Sequence, residues 1–358
     1  MSNYNILILG ASYGSLLASK ILFSGHSVKL VCLPTEADLI NSEGFRVRIP
    51  VRGHNEQIEL DSRKLRGRLS AAGPKDVDPR DYDLIGLAMQ EPQYGSPGVL
   101  ELMDAVAISR VPCLSIMNMP PLPYMRRIPG LDSEPLKPAY TAPAVWDVFD
   151  PGALTLCSPD PQAIRPPNEK ANVLQVTLPT NFKVARFDNE KGNEIIRRLE
   201  KEIDAVRFDA PGGKIELPVK LRFYDSVFVP LAKWAMLIAG NYRCITENGM
   251  RTAQEAVHSN LEHSRSIYNF VLDVCVKLGA LREELVPFEK YAAAAESLSR
   301  PASAARALNS GAPNIERADK LVQLAAKQKG MSNLVLDEIV ALVDRRLEAN
   351  RKAKASAA

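Results

Sequence analysis

The stretch from Asn5 to Ala18 reads NILILGASYGSLLA, a short apolar run that stops at Gly10 and opens into small residues. Such a run, ended by glycine and followed by a small-residue row, predicts a buried strand, a tight turn and a helix. Backbone N–H groups at the start of such a helix, with the positive end of its dipole, accept a pyrophosphate where no side chain blocks close approach. The turn therefore makes Gly10, Ser12, Tyr13, Gly14 and Ser15 candidates for holding a dinucleotide. Against G-x-G-x-x-G counted from Gly10, Ser12 and Ser15 stand at the second and third glycine positions. Gly10, Gly14 and Ala18 instead form a row four residues apart, and its last two members lie one helical turn apart, which lets a helix sit close on a sheet. Taken alone, the loop is a weak signal, and an ordinary strand and helix that bind nothing is the lesser alternative.

Outward from this stretch, Ser27 to Leu33 reads as a second strand reached through Gly25-His26, completing a β-α-β unit. The end of that strand, where an acid reads a ribose 2′-hydroxyl or an arginine a 2′-phosphate, is Leu33-Pro34-Thr35-Glu36 and makes neither choice. Further strands are expected around Phe45–Ile49, Gln57–Leu60, Asp83–Met89 and Val111–Met117. Arg63 to Arg68 reads as a solvated loop. Asn118 ends the Val111–Met117 strand, at the edge where open α/β sheets bind ligands. From Pro120 to Pro167 the chain is proline-rich without a long amphipathic helix, although Ala153–Cys157 and Val173–Leu178 look like strands. Asn189 to Val206 has the helical period in Ile195, Ile196, Leu199 and Ile203. Ala210 to Lys214, APGGK, is the best linker candidate and sets the expected domains at 1–212 and 213–358. Beyond it Leu231–Ile245, Glu255–Leu278, Ile315–Lys329 and Asn333–Leu347 all read as helices, and Arg351 to Ala358 as a fraying tail. The fold class expected is α/β, a Rossmann-type dinucleotide-binding domain followed by an all-helical domain.

A chain of 358 residues exceeds what one core usually fills, which also argues for two domains. Apolar content of 46% with 24% charge is that of a globular protein. Forty-five basic against 42 acidic side chains give no footprint for nucleic acid. Five cysteines without a C-x-x-C pair fit a reducing compartment rather than a disulfide framework. Four histidines make no ligand set, so no metal is expected. No apolar stretch approaches the roughly 20 residues that span a bilayer, and a strand so early leaves no room for a signal peptide. The expectation is a cytoplasmic protein without a membrane partner.

In the second domain Lys233 lies inside PLAKWAMLIAGN with apolar neighbours on both sides, so it either snorkels to water or is partly desolvated. Leu237 and Asn241 follow at i+4 and i+8, displaced by about 40° and 80° around a regular helix. One face would then carry an ammonium and, two turns on, a carboxamide. Pro230 suits the first turn.

This order of features resembles the ketopantoate reductase family of NAD(P)-dependent, 6-phosphogluconate-dehydrogenase-like enzymes. Gly10 through Gly25-His26 matches the length of the family's opening motif, Asn118-Met119 its Asn-Gly after a buried strand, and Lys233 with Asn241 its catalytic lysine and later asparagine. The departures are Gln90 for a cofactor-contacting lysine, Leu33 for an arginine, Leu237 for an asparagine, and Asn314-Ile315-Glu316 for a Glu-Ile-Asp that follows a serine, here Ser303. The resemblance implies NADP or NAD as cofactor, NADP being the family's habit, a homodimer, and a small carboxylate substrate in the cleft between the domains. Lys233 would protonate the oxygen that develops as hydride reaches a 2-oxo acid or related carbonyl. Asn118 and Asn241 would orient nicotinamide ribose and substrate. Gln90 would stand on the cofactor side, and Ser303, Asn314 and Glu316 on the substrate side. Arg300, Arg306 and Asn309 share the polar stretch around Ser303. On helical spacing Glu316 lies about 200° from position 314. Opine-dehydrogenase-like reductive condensation of an amine with a 2-oxo acid, or a non-catalytic cofactor-binding role, are the alternative readings.

Overall fold

The structure, a computed structural model, describes residues 2–356. In chain order the elements are β1 (Asn5–Leu9), α1 (Gly14–Phe23), β2 (Ser27–Val31), α2 (Pro34–Glu43), β3 (Arg46–Ile49), β4 (Ile58–Asp61), β5 (Leu69–Ala72) and β6 (Leu84–Leu87). Next come α3 (Val99–Ser109), β7 (Cys113–Ile116), α4 (Leu122–Met125), β8 (Leu154–Ser158), β9 (Gln162–Ile164), β10 (Val173–Leu178), β11 (Phe182–Ala185) and α5 (Glu190–Ala205). The remainder is β12 (Phe208–Ala210), β13 (Gly213–Ile215), β14 (Leu221–Tyr224), α6 (Lys233–Met236), β15 (Ile245–Thr246), β16 (Gly249–Met250), α7 (Ala253–His258), α8 (Leu261–Leu278), α9 (Phe288–Ala295), α10 (Ser303–Asn309), α11 (Ala318–Gln328) and α12 (Leu334–Ser356).

The chain divides into two compact units. The first holds residues up to Met89, then 93–117 and 144–226, around an eight-stranded sheet ordered β14-β11-β8-β7-β6-β1-β2-β5. From β5 to β8 all neighbours are parallel, and the order β5-β2-β1-β6-β7-β8 is the 3-2-1-4-5-6 of a doubly wound dinucleotide fold. The order reverses between β1 and β6, so the sheet's switch point lies beside Gly10. β1 and β6 are buried on both faces, which is why NILIL and LIGL read as unbroken apolar runs.

Helix α1 is buried all round from Gly14 to Leu22. The cause is a second sheet, β4-β3-β10-β9, whose Val47, Ile49, Leu60, Leu174 and Val176 join Leu16, Ile21 and Leu22 in one apolar cluster. Even Lys20 is enclosed, its ammonium donating to the Pro218 carbonyl at 2.6 Å. Helix α5 is the amphipathic element expected from 189–206, with Asn189 capping it by accepting from the Gly192 amide.

The expected boundary at 212/213 moves. Ala210–Lys214 does not link domains but turns the β12–β13 hairpin within the first unit, with Ala210 opposite Gly213 and Gly212 at φ +97°. A glycine pair signals a hairpin turn as readily as a linker. The first unit ends at Ser226, and residues 90–92 and 118–143 belong to the second unit with 227–358.

The second unit is helical apart from the short β15–β16 hairpin. The helix expected over Leu231–Ile245 is a mosaic: a 3₁₀ turn over Val229–Ala232, the α-turn α6, a π-turn over Leu237–Asn241, and a 3₁₀ turn over Tyr242–Cys244. The helix over Glu255–Leu278 breaks into α7 and α8, because Asn260 leaves helical geometry to cap α8 through the His263 amide. The tail expected to fray continues as helix to Ser356, carried by good helix formers and a Glu348–Lys352 pair one turn apart; Ala357 and Ala358 lie outside the described residues.

Candidate active site

In the first unit the turn after β1 is built by its glycines. Gly10 sits at φ +103° with its amide donating to the Val31 carbonyl at 2.9 Å, and a Cβ there would meet the Ala88 carbonyl oxygen at 2.8 Å. Gly10 thus lets the ends of β1, β2 and β6 converge. A Cβ on Gly14 would strike Ile8 at 2.7 Å, so this residue, rather than one at position 15, supplies the close seat of helix on sheet. Ser12 is exposed at the tip, and Ser15 is buried with its hydroxyl donating to the Ser12 carbonyl at 2.8 Å. Tyr13 points away from the turn tip: its hydroxyl donates to the Pro161 carbonyl at 2.6 Å and its ring meets Phe182 edge-on. The first amides of α1 have no partner within their own helix, as in every helix start. At the end of β2, Leu33 is exposed and Glu36 pairs with Arg165 from beyond β9. That end therefore carries both a carboxylate and a guanidinium, the latter invisible in the sequence around residue 33.

In the second unit four polar residues from four separate segments converge. Lys233 opens α6 and is 7% exposed, and Glu316, in the extended stretch before α11, is 8% exposed. Burial pushes the Glu316 carboxyl up to about 7; the Glu91 amide and the Asn118 side chain pull it back, the Glu91 charge raises it and the Lys233 charge lowers it. The Glu91 amide is directed at Glu316 Oε1 at 3.4 Å. Tyr242 fixes this stretch: its hydroxyl donates to the Glu316 carbonyl and accepts the Ala318 amide at 2.8 Å. Because α11 therefore starts at Ala318, residues 314–316 are not helical and the angular separation expected between them does not apply. Glu316 turns inward while Asn314 accepts from Arg351 at 2.9 Å.

Asn241 is half-buried at the end of the π-turn, so the regular-helix offsets from Lys233 do not hold either. The Tyr291 hydroxyl donates to the Met236 carbonyl at 3.1 Å and lies where a Cβ on Gly240 would be, 1.9 Å away. A side chain inserted into the helical ladder is a known origin of such wide turns. Ser303 is exposed at the start of α10, a short helix packed on this π-turn. Gln90 is exposed beside Glu91. Sequence reasoning missed Glu91 and Tyr242; a Glu followed by Pro immediately after a buried strand was the available signal for Glu91.

No protein-family model matches the chain, and no curated protein matches it in sequence. Solved structures do match. A 2-dehydropantoate 2-reductase from Methylococcus capsulatus superposes with a TM-score of 0.63 at 14% identity, covering 97% of each chain. The chain has the ketopantoate reductase fold. A D-mandelate dehydrogenase solved with NADH and anilino(oxo)acetate shares this fold, with a TM-score of 0.62 at 13% identity over 97% of this chain and 99% of that one. So does a dimeric ketopantoate reductase from Staphylococcus aureus, with a TM-score of 0.60 at 10% identity and the same coverage. Among the described residues no cluster of histidine, cysteine or carboxylates could hold a metal, and no helix is long and apolar enough to cross a membrane.

Proposed function

We propose that the chain is an NAD(P)H-dependent oxidoreductase that reduces a small 2-oxo acid, with Lys233 as general acid. The observation that carries this reading is the buried pair Lys233 and Glu316 in the second unit, with the half-buried Asn118 side chain bonded to Glu316. The first unit's turn fits a nicotinamide dinucleotide: Gly10 and Gly14 leave no side chain where the strand ends and helix start come together, and Ser12 is the one large departure. The groups that would hold it are the amides of Ser12 to Ser15. When bound, the dinucleotide supplies hydride.

What the chain itself does follows from its charges. The Lys233 ammonium, kept from bulk water, donates a hydrogen bond to the substrate carbonyl oxygen and passes its proton as negative charge grows there. Asn118 and Asn241 donate and accept through their amides and so orient rather than ionise. Glu316 is the buried carboxyl beside Lys233, and a carboxyl that carries its proton near neutrality does not repel an anionic 2-oxo acid. Ser303, on the helix packed against the π-turn, is a further hydroxyl on the substrate side. Asn314 is the weaker candidate, its amide oxygen already engaged by Arg351. On the cofactor side, Gln90 supplies a neutral amide where related enzymes place a lysine.

Replacement of Lys233 by alanine tests the assignment. Turnover of 2-oxo acids such as ketopantoate or a benzoylformate falls by about 10²-fold or more, while the dissociation constant for NADPH or NADH stays within a few-fold. Unchanged turnover would remove Lys233 from the chemistry, and failure of both dinucleotides to bind would remove the reductase reading itself.

A further inference from the structure

We infer that Glu91 is a positioning residue for this site, governing through its backbone and its charge whether Glu316 carries a proton when an anionic substrate arrives. The inference rests on the reading above only in placing substrate beside Glu316; the link between the two carboxyl groups stands on geometry.

Glu91 is 1% exposed, a rare state for a glutamate, which is seldom fully buried. Its carboxylate accepts the Thr141 amide through both oxygens, at 3.1 Å each, and is further bonded by the Thr141 side chain and the Ala142 amide. Burial raises the Glu91 carboxyl, and those bonds offset part of the rise and favour its charged form. The same residue directs its own N–H at Glu316 Oε1, 3.4 Å away. One short turn therefore offers Glu316 an amide donor and, behind it, a fixed negative charge in a region nearly without water.

The other charged and titratable groups around Glu316 are Lys233 at the start of α6, the Tyr242 phenol, and Arg317 and Asp319 at the start of α11. Arg317 is taken up by Asp319, with two bonds of 2.9 Å, and by Asp344, so its charge is spent within its own cluster. The Glu91 amide and the Lys233 charge favour the ionised form of Glu316, and the Glu91 carboxylate charge opposes it. The two buried carboxyl groups feel each other's charge, which disfavours ionising both, and the better hydrogen-bonded one keeps its charge. Here that is Glu91, and Glu316 becomes the member that holds the proton. A merely structural Glu91 would tie down the 141–142 backbone and leave the protonation of Glu316 alone.

The test uses the full chain labelled with carboxyl-¹³C glutamate, the Glu316 resonance being the one lost in Glu316→Gln. The titration midpoint expected in the parent protein is about 7. In Glu91→Gln, which keeps an acceptor for Thr141 but removes the charge, the midpoint falls by about half a pH unit or more. An unchanged midpoint in the folded variant overturns the inference. Should Glu91→Gln not fold, Glu91→Asp withdraws the charge by one methylene and lowers the midpoint in the same direction by less; no movement there overturns it equally. In parallel, the pH profile of kcat/KM for the 2-oxo acid moves with the midpoint in Glu91→Gln and not in the Glu316→Gln background. A moved midpoint with no turnover on any 2-oxo acid supports the carboxyl link and removes the reductase reading, whereas turnover with an unmoved midpoint does the reverse.

Discussion

Glu316 shows how far a single side chain's chemistry depends on its surroundings. Its carboxyl is raised from the ordinary 4.5 to about 7, first by burial. Because the folded value exceeds the unfolded one, folding favours the protonated form. The associated stability is fully present below about 4.5 and is lost as pH rises through about 7. Glu316→Gln abolishes that dependence. Relative to the parent, the variant therefore gains about 3 kcal/mol of stability between roughly pH 4 and pH 8, measured by urea unfolding at each pH. A constant difference across that range would mean that Glu316 is solvated. None of this was legible locally: Asn314-Ile315-Glu316 suggested a carboxylate in the wrong place, and only the Tyr242 hydroxyl, by delaying the start of α11, turns residue 316 inward. Lys233 was legible, since a lysine among apolar neighbours behind a proline is unusual in any setting.

Among the elements, the π-turn over Leu237–Asn241 is the one that departs most from periodic expectation. Apolar residues at helical spacing predict a helix here and do not register whether its hydrogen bonds run to the fourth or fifth residue. The decision comes from α9, whose Tyr291 hydroxyl occupies the place a side chain on Gly240 would need. Gly240→Ala is expected to destabilise the protein by about 2 kcal/mol or more and to raise KM for the substrate, because Asn241 ends the displaced turn. Pairing it with Tyr291→Phe recovers part of the loss; chemical denaturation of the single and double variants measures both. Helix α1 makes the complementary point. Its small residues and unbroken apolar character were plain in the sequence, yet the β4-β3-β10-β9 sheet that covers its second face joins strands more than a hundred residues apart, which no local pattern encodes.

For the whole molecule, two compact units predict that a ligand of one unit acts first on that unit's stability. NADPH or NADH at 100 times its dissociation constant is expected to add about 2.7 kcal/mol to the unit that binds it, seen as an upward shift of one calorimetric transition. The boundary between the units was only partly readable. Proline and glycine mark where a chain turns, and the same signals serve a hairpin at Gly212 and a true exit at Ser226.

The β-α-β opening, the strands that follow it, the helical second half and the unusual setting of Lys233 among apolar neighbours were all legible in the sequence. Each rests on apolar periodicity or residue chemistry within a few neighbours. Tertiary structure alone decided that Gly14 rather than residue 15 seats α1, that Arg165 meets Glu36 at the end of β2, and that Glu91, Asn118 and Lys233 act on the buried Glu316. Those four come from segments separated by 27, 115 and 83 positions in the chain. Burial and charge act through space, and spacing along the chain carries no record of them.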